Sequence, residues 1–197
     1  MRYNLSELTE IIRNRRTVYP EFYTDREVHR EQIEKILNNA IWAPSHGMTQ
    51  PWSFSVFTGK GRKKVSEKFT ELYALYTVGD KFDPIRAERV KSRPLRAGAI
   101  IAVSLNRDPE SKIREMEEIE AVACAIQNMY LTCTAWGLGC FWATPAFIYT
   151  PEMNTFLGLK TQDKCLGFFF IGYVPADFEW PKGRRKPIEY VTEWVEE

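Results

Sequence analysis

The chain has 197 residues, 44% hydrophobic and 27% charged, which fits a single folded domain over 1–197 and excludes wholesale disorder. A net charge of +1 excludes a dedicated nucleic-acid binder, whose phosphate contacts need a large basic excess, so any working basic patch must be local. No apolar run reaches the roughly 20 residues of a bilayer span, and Met1-Arg2-Tyr3-Asn4-Leu5 lacks the apolar core of a signal peptide, so no membrane contact and a cytoplasmic location are expected.

Leu5, Leu8, Ile11 and Ile12 recur at helical spacing and predict a first helix over 4–16, with Asn4 or Ser6 as N-cap and Pro20 beyond its end. Ile33, Ile36, Leu37, Ala40 and Ile41 share one face of a second helix over 29–41, and His29 reads as exposed. A loop over 43–52 follows, marked by Pro and Gly. The aromatic and β-branched run from Trp52 to Gly59 predicts a strand. Residues 61–77 read as an amphipathic helix, and 79–97 as an irregular, basic helix or lid. The run 99–105 is apolar throughout and predicts a buried central strand. The pattern over 115–136 is a long helix whose middle, 121–126, is apolar all round and is expected to be deeply buried. Gly137-Leu138-Gly139 reads as its cap, a short helix spans 150–157, and 166–173 is a third strand. The tail 174–197 is an extension, basic at 182–186. Helices alternating irregularly with few strands give an α+β class, one sheet covered by helices.

Scarce residues limit the chemistry. With His29 and His46 as the two histidines, no multi-histidine metal site forms within one chain. Cys124, Cys133, Cys140 and Cys165 lack zinc or redox-dithiol spacing and read as reduced core thiols. Cys140 with His46 makes a weak thiol-hydrolase candidate, since no nucleophile elbow exists. Gly137-Leu138-Gly139 follows a helix and has Trp142 where a dinucleotide fingerprint needs glycine.

Two basic clusters remain: Arg13, Arg15 and Arg16 followed by Thr17, and Arg184, Arg185 and Lys186. Guanidinium forks and a hydroxyl suit a phosphate monoester, although basic groups at a helix C-terminus also serve the macrodipole alone. In the 43–52 loop, Ser45, His46 and Gln50 can hydrogen-bond the polar edge of a heteroaromatic ring; the same loop also reads as a rigid connector with Trp52 in the core.

Taken in order, these segments resemble the FMN-dependent nitroreductase family. Arg15-Arg16-Thr17 is similar to its Arg-Arg-Ser. Residues 43–54, Ala-Pro-Ser-His-Gly-Met-Thr-Gln-Pro-Trp-Ser-Phe, are similar to its Ala-Pro-Ser-x-x-Asn-x-Gln-Pro-Trp-x-Phe. Gln127-Asn128, on the helix that ends at 137–142, matches its buried helix and Gly-Leu-Gly turn. Residues 184–191 match its Arg-Lys-Pro segment. The likeness runs from about residue 5 to 194, and its histidine-containing second motif is similar to a compact subfamily.

The resemblance implies a nitroreductase-like fold with a mostly antiparallel central sheet, and a homodimer whose C-terminal extension crosses to the partner. It implies two FMN sites at the interface and no catalytic side chain or metal, because flavin carries hydride from NADH or NADPH to a small electron-poor acceptor such as a nitroaromatic or quinone. It implies that Arg15, Arg16 and Thr17 hold the ribityl phosphate side, reached also by Arg185 with Arg184 or Lys186. It implies that Trp42, Ser45 and His46 approach the flavin from the partner, that Met48 and Gln50 of the same loop bind the cofactor, and that Trp142, Ala143 and Thr144 lie beside it. Met48 stands where the family has Asn and removes an amide. Two other readings share FMN: a storage or sensing module without turnover, and a related flavin enzyme such as a reductive dehalogenase.

Overall fold

The computed structural model describes residues 3–110 and 112–196. Four strands, β1 (Trp52–Phe57), β2 (Ala99–Leu105), β3 (Leu138–Ala143) and β4 (Lys164–Tyr173), form one antiparallel sheet in the order β1-β2-β4-β3. The apolar runs of β2 and β4 sit at its centre, buried on both faces, and β1 and β3 are its edges.

Six helices cover the sheet or its ends among the described residues: α1 (Leu5–Asn14), α2 (Arg30–Ala40), α3 (Gly61–Tyr76), α4 (Pro84–Arg96), α5 (Glu115–Ala135) and α6 (Pro151–Leu157). Strand alternation sorts the core into two halves. Ile101, Val103, Phe169 and Ile171 face α2 and α5. Ile100, Ala102, Phe168 and Phe170 face α3 and α6. Asn39 clasps α2 to α5: its Nδ2 donates to Thr132 Oγ1 at 3.0 Å, and its carbonyl accepts from Asn128 Nδ2 at 3.2 Å.

Several expectations need correction. The cap expected over 137–139 is instead, from Leu138 onward, the start of an edge strand, β3, which has no clear periodicity. Gly137 alone serves as the cap, with φ 66° just past α5. Gly139 instead pairs with Gly172 across β3 and β4, and a Cβ there would stand 2.7 Å from the Tyr23 ring that lies over both. Of the two readings of 79–97, the proline-interrupted helix is borne out: α4 is capped by Asp83 Oδ1 and carries Pro94 near its end. Helix α5 buries Ala121, Val122, Ala125 and Ile126 but leaves Ala123, Cys124 and Gln127 open. Cys124 is therefore not a core thiol, whereas Cys133, Cys140 and Cys165 are buried.

A buried ion pair escaped the sequence. Glu118, 1% exposed in the first turn of α5, pairs with Arg107 beyond the end of β2, and its Oε1 accepts the Asp108 N–H at 3.1 Å. The pair fixes where α5 starts relative to the sheet.

Candidate functional site

Chemistry-bearing residues gather around the edge strand β3. The Val18 N–H donates to the Cys140 carbonyl at 2.9 Å, which lays the segment after α1 along this strand. Arg15 is thereby stacked 4.9 Å above the Tyr130 ring. The Tyr130 hydroxyl accepts the Trp142 N–H at 2.8 Å and also meets the Thr17 hydroxyl. Burial pushes the Tyr130 phenol up, against the opposing effects of the Thr17 hydrogen bond, the Trp142 N–H and the Arg15 charge, so it stays a neutral platform. Arg15 has no ion-pair partner among the described residues.

Arg16 points elsewhere. Its Nε donates to the Pro181 carbonyl at 2.6 Å and its Nη1 to the carbonyls of Arg13 and Arg15 at 2.6 and 2.7 Å. A Cβ at Gly183 would collide with this guanidinium. Nothing in the sequence spacing says that the two basic clusters meet; Arg16 brings them together, because Gly183 directly precedes Arg184 and Arg185. Arg185 is exposed, with Nη1 on the Arg184 carbonyl at 2.7 Å.

At the far end of β3, Trp142, Ala143 and Thr144 line a cleft of about 380 Å³ between the strand and α4. A β-bulge at Leu166, opposite Val103 and Ser104, turns a carbonyl to the Trp142 indole, whose Nε1 donates to it at 3.0 Å. The other wall of the cleft carries Arg86, Arg89 and Arg93 from α4. These arginines were not singled out by sequence reasoning. Their i, i+3, i+7 spacing was the available signal.

The 43–52 loop stands apart. Gly47, Met48 and Gln50 all have positive φ (58°, 54° and 46°), a strain of about 1–3 kcal/mol at each non-glycine position. Ser45 Oγ accepts the Gln50 N–H at 3.3 Å, and His46 Nδ1 lies 2.6 Å from Glu117 Oε2 on α5. Trp42 is 85% and Met48 78% exposed. Within the chain this loop does not reach the β3 cluster. Glu117 and Tyr130, which anchor the two clusters, lie about 20 Å apart along α5 at 1.5 Å per residue.

The donor set fits FMN. A half-buried guanidinium without a carboxylate partner among the described residues, beside a hydroxyl and a basic tail, suits a phosphate dianion, and the adjoining cleft has the size of an ordinary ligand site.

Comparison with known proteins points to one family. The profile of the Nitroreductase family matches residues 12–173. YdjA of Escherichia coli strain K12, designated an inferred NAD(P)H nitroreductase, is 30% identical over 142 residues, covering 72% of this chain and 75% of YdjA. The crystal structure of a nitroreductase-like family protein from Bacillus cereus superposes with TM-score 0.83 at 29% identity, covering 100% of this chain and 99% of that one. An inferred nitroreductase from Desulfovibrio desulfuricans, solved in complex with FMN, gives TM-score 0.70 at 25% identity over 98% of both chains.

Proposed function

This chain belongs to the nitroreductase family, and from that premise we propose that it is an FMN-dependent NAD(P)H oxidoreductase, a single-domain protomer working as a homodimer with two interfacial sites. FMN, when bound, would supply the redox chemistry: hydride transfer between NADH or NADPH and an electron-poor acceptor such as a nitroaromatic or quinone. The carrying observation is the Arg15 guanidinium, which has no ion-pair partner among the described residues, on Tyr130 beside Thr17 and the end of β3.

The chain's own residues bind and orient. Arg15 and Thr17 hold the phosphate, each charge-assisted hydrogen bond worth about 1.5–3 kcal/mol. Arg16 draws the C-terminal segment in, so that Arg185, with Arg184 or Lys186, reaches the same anion. Trp142, Ala143 and Thr144 border the ring, and Trp142 is locked by Tyr130 and Leu166. Trp42, Ser45, His46, Met48 and Gln50 come from the partner. With Nδ1 engaged by Glu117, Nε2 of His46 is the nitrogen left to meet the bound ring.

The geometry of α5 supports the dimer. Its open stripe includes Ala123, Cys124 and Gln127, and residues 123 and 124 lie midway between Glu117 and Tyr130. Antiparallel packing of two α5 helices about that midpoint sets the loop cluster of one protomer level with the β3 cluster of the other. Other uncovered apolar surface awaits a partner: Leu5 on α1 is 73% exposed, and Tyr190, Val191 and Trp194 of the extension are exposed too.

Purified protein is expected to be yellow, to release FMN on heating, and to bleach anaerobically on addition of NADH or NADPH and recover with a nitroaromatic or quinone. Colourless protein that cannot be reconstituted with FMN contradicts the reading. Flavin that neither nicotinamide reduces leaves binding without the oxidoreductase.

A further inference from the structure

The lining of the cleft between α4 and β3 carries an excess of positive charge, three arginines against one carboxylate. Arg86, Arg89 and Arg93 line it from one face of α4. Arg93 is compensated: its Nε and Nη2 each lie 2.9 Å from Glu21 Oε1, and its guanidinium sits over the rings of Tyr19 and Phe141 at 4.9 and 5.3 Å. The acid among the lining residues, Asp83, is occupied as the α4 N-cap, its Oδ1 accepting the N–H groups of Ile85 at 2.8 Å and Arg86 at 3.3 Å. Arg86 and Arg89 have no ion-pair partner among the described residues. Phe69, Phe141, Phe147 and Phe170 make the same cleft aromatic.

Aromatic walls with two uncompensated guanidinium forks suit a planar ring that bears an oxyanion. The ring takes the apolar surface, and the fork meets a carboxylate or phosphate with paired N–H donors, which a neutral substituent cannot use as well. We propose that Arg86 and Arg89 form an oxyanion-recognition arm, so that the reactant admitted to this cleft is an aromatic compound carrying a carboxylate or phosphate. That group has two possible sources, the acceptor itself or the 2′-phosphate of the nicotinamide donor. The inference rests on the oxidoreductase reading only for what then happens to the bound compound.

The test compares holoenzyme with the Arg86→Gln/Arg89→Gln double variant and with Arg86→Lys/Arg89→Lys. Affinity for benzoate and for benzyl alcohol, neither reducible, is read from perturbation of the flavin spectrum. The ratio of kcat/KM for 4-nitrobenzoate over 4-nitrobenzyl alcohol reports on the acceptor, and the ratio for NADPH over NADH on the donor. In the glutamine variant, benzoate affinity and at least one of the two ratios are expected to fall by about tenfold or more, and the lysine variant to recover part of the loss. The ratio that falls identifies the source. Holoenzyme indifferent to ligand charge, or ratios unchanged between wild type and glutamine variant, overturns the proposal. Flavin content is measured on the same samples. A chain without flavin fails the functional reading, whereas a flavin-loaded chain blind to charge fails this one.

Discussion

Arg15 lies with its guanidinium 4.9 Å above the Tyr130 ring, and the hydroxyl of that ring accepts the Trp142 N–H. One phenol thus ties the candidate phosphate ligand to the strand that borders the candidate ring site. The connection is short and local, and it makes Tyr130 a positioning residue rather than a reacting one.

Replacing Arg15 with Ala is expected to weaken FMN binding by tenfold or more and riboflavin binding far less, since riboflavin lacks the phosphate. Tyr130→Phe keeps the stacking ring but leaves the Trp142 N–H without its acceptor. It should cost about 1–3 kcal/mol of stability and weaken both ligands by a similar factor. Fluorescence titration of each apoprotein with both ligands separates the two effects. Equal losses for FMN and riboflavin in Arg15→Ala would point to ring contacts instead.

Glu118 is expected to dominate a different measurement. Its removal leaves Arg107 largely buried without a counter-charge, and Glu118→Ala should destabilise the fold by about 3–5 kcal/mol in denaturant unfolding. Surface pairs such as Arg30–Glu34, screened by solvent, should contribute far less. A loss at Glu118 no larger than at Glu34 contradicts the assigned role.

The thiols differ sharply. Burial pushes Cys165 up to about 12 and Cys133 well above the ordinary thiol range, so neither forms thiolate near neutral pH. Cys124 is exposed on the open stripe of α5. In the proposed dimer two copies of Cys124 face each other at the symmetry axis. Mild oxidation should give a covalent dimer on non-reducing gels, abolished by Cys124→Ser. A covalent dimer that persists in Cys124→Ser contradicts this packing.

The extension should matter to both assembly and cofactor. Deleting residues 175–197 removes the partner of Arg16 at Pro181 and the cluster 184–186. Sedimentation of the full chain should give twice 23.0 kDa, and the deletion should shift it toward monomer while flavin is lost. A truncated monomer that retains FMN contradicts the interfacial arrangement.

Much of this was legible because periodicity and punctuation are local. The apolar run of β2, the glycine after α5 and the face of α2 each announce themselves within ten residues. Strand β3 was not legible: Leu-Gly-Cys-Phe-Trp-Ala alternates poorly, and its pairing depends on β4 and on Tyr23 packing over two glycines. The stripe 121–126 was legible as apolar all round, but which of its faces the chain itself covers was not: Ala121, Val122, Ala125 and Ile126 are buried, whereas Ala123 and Cys124 are open. For the site, the motifs indicated residue types, whereas the division of labour between Arg15 and Arg16 emerged only from tertiary contacts. The arginines of α4 escaped because a basic helix reads as solvated until something is placed opposite it.

The central claim is that each site draws Arg15 from one protomer and Ser45 from the other. The most direct measurement is FMN content of heterodimers built from Arg15→Glu in one subunit and Ser45→Trp in its partner, isolated with two affinity tags. In the proposed arrangement both defects fall in one site and the other site is intact. The heterodimer should therefore hold one tightly bound FMN, whereas either mutant homodimer holds none. If each site belongs to a single protomer, every site carries a defect, and a heterodimer as empty as the homodimers would contradict the account.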